Sequence, residues 1–181
     1  SNLQKDIINN EKNSSLEEIQ NFNFDSLNFE DVEYRYNDKS IFKNVSFKIS
    51  KRDKIVIAGP SGRGKTTLCD LILGLIEQSE GVISINEKAS TVKTNSWKNV
   101  LSYVPQNIFL LDGTIIQNLM FDTSVKEYDK KKMIEILKIV CLEEEFKSQL
   151  DRNIGEMGVK ISGGQKQRLA IGRAILKKPQ V

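Results

Sequence analysis

The residues with the clearest chemical capacity lie in one run, Gly59-Pro60-Ser61-Gly62-Arg63-Gly64-Lys65-Thr66. The run fits the spacing G-x-x-x-x-G-K-[ST]. Glycines at 59, 62 and 64 let successive backbone N–H groups curl around a phosphate, and a helix beginning there adds the positive end of its dipole. Lys65 is spaced to reach the β- and γ-phosphates of a nucleotide, and Thr66 to give its hydroxyl to Mg2+. Pro60, Ser61 and Arg63 take part through their backbone, and no role follows for the Arg63 side chain. On its own the run also reads as a glycine-rich turn followed by a surface lysine. A second stretch, Ile161-Ser162-Gly163-Gly164-Gln165, opens a predicted helix. Ser162 can cap that helix, and the two glycines leave its first N–H groups uncovered.

A phosphate cradle of this kind requires a strand that delivers the loop and a helix that starts in it. Ile55-Val56-Ile57-Ala58 is a short continuous apolar run and predicts a strand buried on both faces. From Gly64 to Ile76 the pattern turns helical, with Leu68, Leu71, Ile72 and Leu75 on one stripe. Upstream, Val32-Glu33-Tyr34-Arg35-Tyr36 and Val45-Ser46-Phe47-Lys48-Ile49 each alternate apolar with polar residues, joined through a turn signal at Asn37-Asp38-Lys39. They predict an antiparallel hairpin. Gly81-Val82-Ile83-Ser84-Ile85 and Leu101-Ser102-Tyr103-Val104 predict further strands. Over residues 129–147, Met133, Ile136, Leu137, Val140 and Cys141 recur at helical spacing, an amphipathic helix in a separate helical lobe. Residues 165–177 predict the next helix. The expected fold class is α/β: a P-loop core with an antiparallel β subdomain and a helical lobe.

Bulk properties narrow the function. The chain has 181 residues, 39% hydrophobic and 28% charged, enough for one domain with a real core. Its net charge of +3 comes from 27 basic and 24 acidic residues, too balanced to argue for nucleic acid or an anionic membrane surface. Cys69 and Cys141 have neither disulfide nor metal spacing and read as small buried or half-buried thiols in a reducing compartment. No apolar run approaches the roughly eighteen residues needed to span a bilayer, and no secretory signal pattern is present.

Taken together and in this order, the run 59–66 and Ser162-Gly163-Gly164-Gln165 resemble the P-loop and signature motif of the nucleotide-binding domain of ABC transporters, with Ile161 where leucine is usual. The resemblance covers residues 29–181 and implies ATP and Mg2+ as cofactors. It implies that Thr67 touches the α-phosphate. Gln106, after Tyr103-Val104-Pro105, resembles the Q-loop glutamine, which ligates Mg2+ and helps position the attacking water; alone it reads as a surface glutamine. Tyr36 resembles the aromatic residue that stacks on adenine, with Tyr34 as the competing choice and core packing as the alternative role. Ser162, Gly163, Gly164 and Gln165 would face the γ-phosphate held by a partner domain, so that ATP joins two domains head to tail. Asp112-Gly113-Thr114-Ile115-Ile116-Gln117-Asn118-Leu119 and Asn153-Ile154-Gly155-Glu156-Met157-Gly158 resemble exporter-type segments. In the second of these, Glu156 would face the coupling helices of a membrane domain.

The resemblance further implies a cytoplasmic-face ATPase partnered by a transmembrane domain and a second nucleotide-binding domain, without nucleic acid. Residues 1–28 are expected to be a linker or mobile arm. The family's next strand, with its Mg2+-holding Asp and general-base Glu, is expected beyond Val181, and the chain contains no His for the switch region. The 181 residues alone are therefore expected to bind nucleotide weakly and hydrolyse little of it. Two other readings remain at this point. One is a soluble ABC-type ATPase of chromosome maintenance or repair, which would carry a long coiled-coil or zinc-binding insertion. The other is a nucleotide-binding regulatory module without hydrolysis.

Overall fold

The described residues divide into two compact units, one running to residue 101 and including 180–181, the other residues 102–179. The computed structural model describes residues 22–37, 39–87, 92 and 94–181. Residues 1–21 of the expected arm and Asp38 of the expected turn lie outside them.

The first unit contains β1 (Ser26–Tyr36), β2 (Lys39–Ser50), α1 (Lys65–Ile72), β3 (Glu80–Ile85) and α2 (Asn95–Val100). The strands form one antiparallel sheet in the order β2-β1-β3. The expected hairpin is present, with Val32 opposite Val45 and Tyr36 opposite Lys39. β1 begins at Ser26, within the segment expected to be an arm. The reason is burial: Phe24 and Leu27 are core residues, and the Phe24 ring lies 5.5 Å from that of Trp97. Trp97 is fully buried and donates its indole N–H to the Ile72 carbonyl at 2.7 Å, tying α2 to the end of α1. Gln180 belongs to this unit as well. Its side-chain oxygen accepts from the Phe24 N–H at 2.7 Å, and its amide donates to the Phe22 carbonyl at 2.8 Å.

Two expected strands are not formed. Residues 55–58 and 101–104 have no strand assignment. Ile55 is 51% and Val56 88% exposed, the opposite of a strand buried on both faces. A strand exists only through its ladder, and none of β1, β2 and β3 pairs with either run. α1 is also shorter than its pattern. It ends at Ile72, Gly74 follows at φ 68°, and Leu75 is exposed instead of on the buried stripe.

The second unit contains α3 (Ile115–Met120), α4 (Lys130–Ile139), α5 (Glu143–Phe146) and α6 (Gly163–Leu176) around a core that includes Leu110, Ile115, Leu119, Leu137, Phe146 and Leu169. This is the expected helical lobe. The single helix expected over 129–147 is two helices. Asp129 caps α4, accepting from the N–H groups of Lys131 and Lys132 at 3.0 and 3.2 Å. Cys141 at φ 55° ends the run, so Leu142 and Phe146 turn inward while Cys141 is exposed and not on the apolar stripe. Gly172 on α6 is a point of close approach: a Cβ there would lie 3.0 Å from Leu119 and 3.2 Å from Ile136.

Candidate nucleotide site

The loop 59–64 leads into α1, the loop-to-helix half of the context that a phosphate cradle needs. Gly62 and Gly64 have φ of 77° and 83°, a left-handed backbone that a side chain would strain. Gly64 is the N-cap residue of α1, and its carbonyl accepts from the Leu68 N–H at 2.8 Å. It has no room for a side chain either, because a Cβ would sit 2.8 Å from Ile41 and 3.2 Å from Phe42. The ammonium of Lys65 donates to the carbonyls of Gly59 and Pro60 at 2.9 and 2.8 Å, which holds its charge over the loop. Ser61, Arg63 and Thr66 are among the exposed residues of the loop and helix start, while Thr67 is half-buried. A cavity of about 170 Å³ lies between loop and hairpin, lined in part by Phe42, Val45, Ile57, Ala58, Arg63 and Gly64. On α1, burial and then the Asp70 charge push the Cys69 thiol upward, away from reactivity.

The hairpin separates the two candidate aromatics. Tyr34 faces inward, its ring 6.3 Å from that of Phe42 and against the core. Tyr36, the last residue of β1, is 64% exposed and presents a free aromatic face. The alternation read in Val32 to Tyr36 fails at Glu33, which is buried. Its carboxylate accepts from Arg35 Nε at 2.8 Å and from Arg35 Nη2 at 3.2 Å, and the hydrogen bonds from Arg35 hold its carboxyl below the ordinary value of 4.5.

Gln106 and the signature residues lie in the second unit. Gln106 is exposed in a bend after Pro105. Ser162 caps α6 through a reciprocal pair: its hydroxyl accepts from the Gln165 N–H at 3.2 Å, and the Gln165 side-chain oxygen accepts from the Ser162 N–H at 2.8 Å. The Gln165 amide then donates to Glu145 on α5 at 2.9 Å. Gly163 and Gly164 behave differently from the other glycines of this unit. A Cβ on either would meet nothing within 4 Å. Neither packing nor a left-handed backbone requires glycine there, so the helix start presents bare N–H groups to the outside.

The two exporter-like segments meet in this unit. Thr114 and Asn153 form an isolated antiparallel bridge, the Ile154 N–H donates to the Gly113 carbonyl at 2.9 Å, and Thr114 caps α3 in a box with Gln117. Asn118, fully buried, clasps the loop in front of α3. Its amide donates to the carbonyls of Leu111 and Thr114, both at 3.0 Å, and its oxygen accepts from the Leu111 N–H at 2.8 Å. Arg173 of α6 closes the same corner, donating to the carbonyls of Asn118 and Phe109 with its guanidinium 4.2 Å from the Phe121 ring centre. Glu156 is exposed. Sequence reading gave Asn118 no role beyond its motif, because its signal, an asparagine among apolar residues, does not reveal which backbone groups it satisfies.

The loop and the helix that starts in it have the form of a P-loop. The family model described as ABC transporter matches residues 42–181. A protein of Rickettsia bellii named as an export ATP-binding/permease protein is 38% identical over 160 residues, covering 86% of this chain and 28% of that protein. An ATP-dependent lipid A-core flippase of Desulfotalea psychrophila is 35% identical over 154 residues, covering 84% of this chain and 27% of the flippase. Among solved structures, a bacterial Atm1-family ABC exporter with ATP bound aligns with a TM-score of 0.75 at 30% identity, over 87% of this chain and 28% of that one. The chain belongs to the ABC transporter family. It spans under a third of the length of these relatives.

Proposed function

We propose that the chain is the ATP-binding part of an ABC exporter, in which binding and hydrolysis of ATP power the movement of a substrate across a membrane from its cytoplasmic face. The observation that carries this reading is the pair of open glycines at the start of α6. Gly163 and Gly164 have no internal reason to be glycine, and the reading supplies an external one, the γ-phosphate of an ATP bound by a partner domain. Ser162 and Gln165 hold that helix start in shape through the capping box.

The remaining roles follow the chemistry of each group. The backbone of Gly59, Pro60, Ser61, Gly62, Arg63 and Gly64 wraps the phosphates, and Lys65 exchanges its two carbonyl partners for the β- and γ-oxygens. Thr67 reaches the α-phosphate, and Tyr36 offers its exposed ring to adenine. Among the described residues no cluster of three or more His, Cys, Asp or Glu could hold a metal. The single hydroxyl of Thr66 suits Mg2+, which keeps much of its shell in water and phosphate oxygens, and the family resemblance assigns Gln106 as a further ligand. When bound, that ion neutralises charge developing on the transferred phosphoryl group. The relatives' names join ATP-binding and permease functions in one protein, which supports a transmembrane partner for this domain and a second nucleotide-binding domain opposite it.

The test is ATP hydrolysis by the full-length protein in membranes, wild type against Ser162→Ala. The variant leaves its own P-loop intact. It is expected to bind ATP and to lose hydrolysis; hydrolysis at the wild-type rate contradicts a composite site.

A further inference from the structure

Glu33 is a buried carboxylate on a strand whose neighbours were expected to hold it in solvent, and the proposed roles of the site do not use it. Three side chains converge on it from two strands. Arg35 on β1 approaches through Nε at 2.8 Å and Nη2 at 3.2 Å. Ser40 on β2 donates its hydroxyl at 3.3 Å, and the Lys43 ammonium lies at 3.7 Å. Arg35 carries the network outward to Glu80 on β3 at 2.9 Å. The backbone follows the same route: the Ser79 N–H donates to the Glu33 carbonyl at 2.8 Å, and the Arg35 N–H donates to the Ser79 hydroxyl at 2.9 Å.

This network occupies the part of the sheet where the ladder is least regular. The β1–β2 register shifts between Val32 and Tyr34 and again between Tyr34 and Arg35. The second shift spans Ile41, the residue whose side chain blocks a Cβ at Gly64, and the Ser40 hydroxyl also reaches the Phe42 carbonyl at 3.5 Å. The same tip of the hairpin therefore carries Tyr36 at its end and packs Ile41 and Phe42 against the P-loop. An irregular ladder fixes such a tip poorly, and a buried carboxylate bridging both strands fixes it well.

We propose that Glu33 is a positioning residue for the nucleotide: through Arg35 and Ser40 it sets the hairpin tip so that the Tyr36 ring meets the base. This rests on the reading of Tyr36 as the base platform. Its signature is selective loss of the base's contribution to binding. Inorganic tripolyphosphate, which has phosphates and no base, reports the cradle alone.

The experiment measures the affinities of the full-length protein for ATP and for tripolyphosphate in wild type, Tyr36→Ala, Glu33→Gln and Arg35→Lys, with a thermal melt of each. Tyr36→Ala is expected to lower ATP affinity about tenfold, the worth of one stacked base, and to leave tripolyphosphate within about twofold. Glu33→Gln is expected to reproduce that selective loss, and Arg35→Lys, which keeps the charge without the fork, to show a smaller loss in the same direction. The proposal is overturned if Tyr36→Ala shows the selective loss while the other two leave the ratio of affinities unchanged, whatever happens to their melting temperatures. Equal weakening of both ligands overturns it too, because that marks general unfolding of the hairpin. A ratio unmoved in Tyr36→Ala removes the base platform itself, and the Glu33 proposal with it. If Glu33→Gln does not fold, Arg35→Lys decides alone.

Discussion

Gly164→Ala separates stability from function. The residue lies in the first turn of α6, its φ is not positive, and an added Cβ has nothing within 4 Å. Within the chain the substitution is therefore favourable: alanine loses less backbone entropy than glycine on entering a helix, a gain of about 0.5–1 kcal/mol. For a domain of this size that raises the melting temperature by about 2–4 °C for each kcal/mol. In the proposed dimer the same methyl occupies the space between the helix start and the partner's γ-phosphate. It would cover the N–H groups that the glycine leaves bare. The assay pairs thermal unfolding of the 181-residue chain with ATP hydrolysis by the full-length protein. The expected result is an unchanged or raised melting temperature together with at least about a hundredfold loss of hydrolysis, the scale of losing one aligned donor to a developing charge. A protein that is both more stable and fully active would refute the argument, since glycine would then have no function there. A lowered melting temperature would refute the structural half.

Three further outcomes follow from the same contacts. Asn118→Ala strands the N–H and carbonyl of Leu111, while the Thr114 carbonyl keeps the backbone N–H of residue 118, so denaturant unfolding of the chain should show a loss of about 2 kcal/mol. Trp97→Ala removes a fully buried ring and its bond to Ile72, with an expected cost of about 3–5 kcal/mol in the same measurement. Arg35 holds the Glu33 carboxyl below its ordinary value of 4.5, so folding favours the ionised form. This contribution to stability is complete above pH 4.5 and is lost as pH falls through the lower folded value. A pH series of melts should show Glu33→Gln converging on wild type in acid; a constant gap between the two curves would contradict the assignment.

How legible the sequence was depended on whether a segment's structure was set locally. The glycine-rich loop, the Ser162 cap and the hairpin from β1 to β2 could be read directly, because glycine, capping residues and period-two alternation act over a few residues. Ile55-Val56-Ile57-Ala58 could not, since an apolar run says that a strand would be stable once paired and not that a partner lies beside it. Cys141 fitted a helical stripe, yet its left-handed backbone ends α4, a choice made by the need to bury Leu142 and Phe146. Glu33 sat in an outward-facing slot of its alternation and is buried because Arg35, Ser40 and Lys43 converge on it from elements that the pattern treats separately. The residues proposed to face the phosphates were thus picked out by type, and the groups packed around them were not.

The most direct test is Mg2+-dependent ATP hydrolysis by the full-length protein, wild type against Lys65→Ala. The account predicts hydrolysis in the wild type that disappears in the variant, because the lysine that now bridges Gly59 and Pro60 is the group that would hold the β- and γ-phosphates. Hydrolysis that survives the loss of Lys65, or nucleotide bound and never hydrolysed by either protein, would contradict the claim that this domain drives a pump.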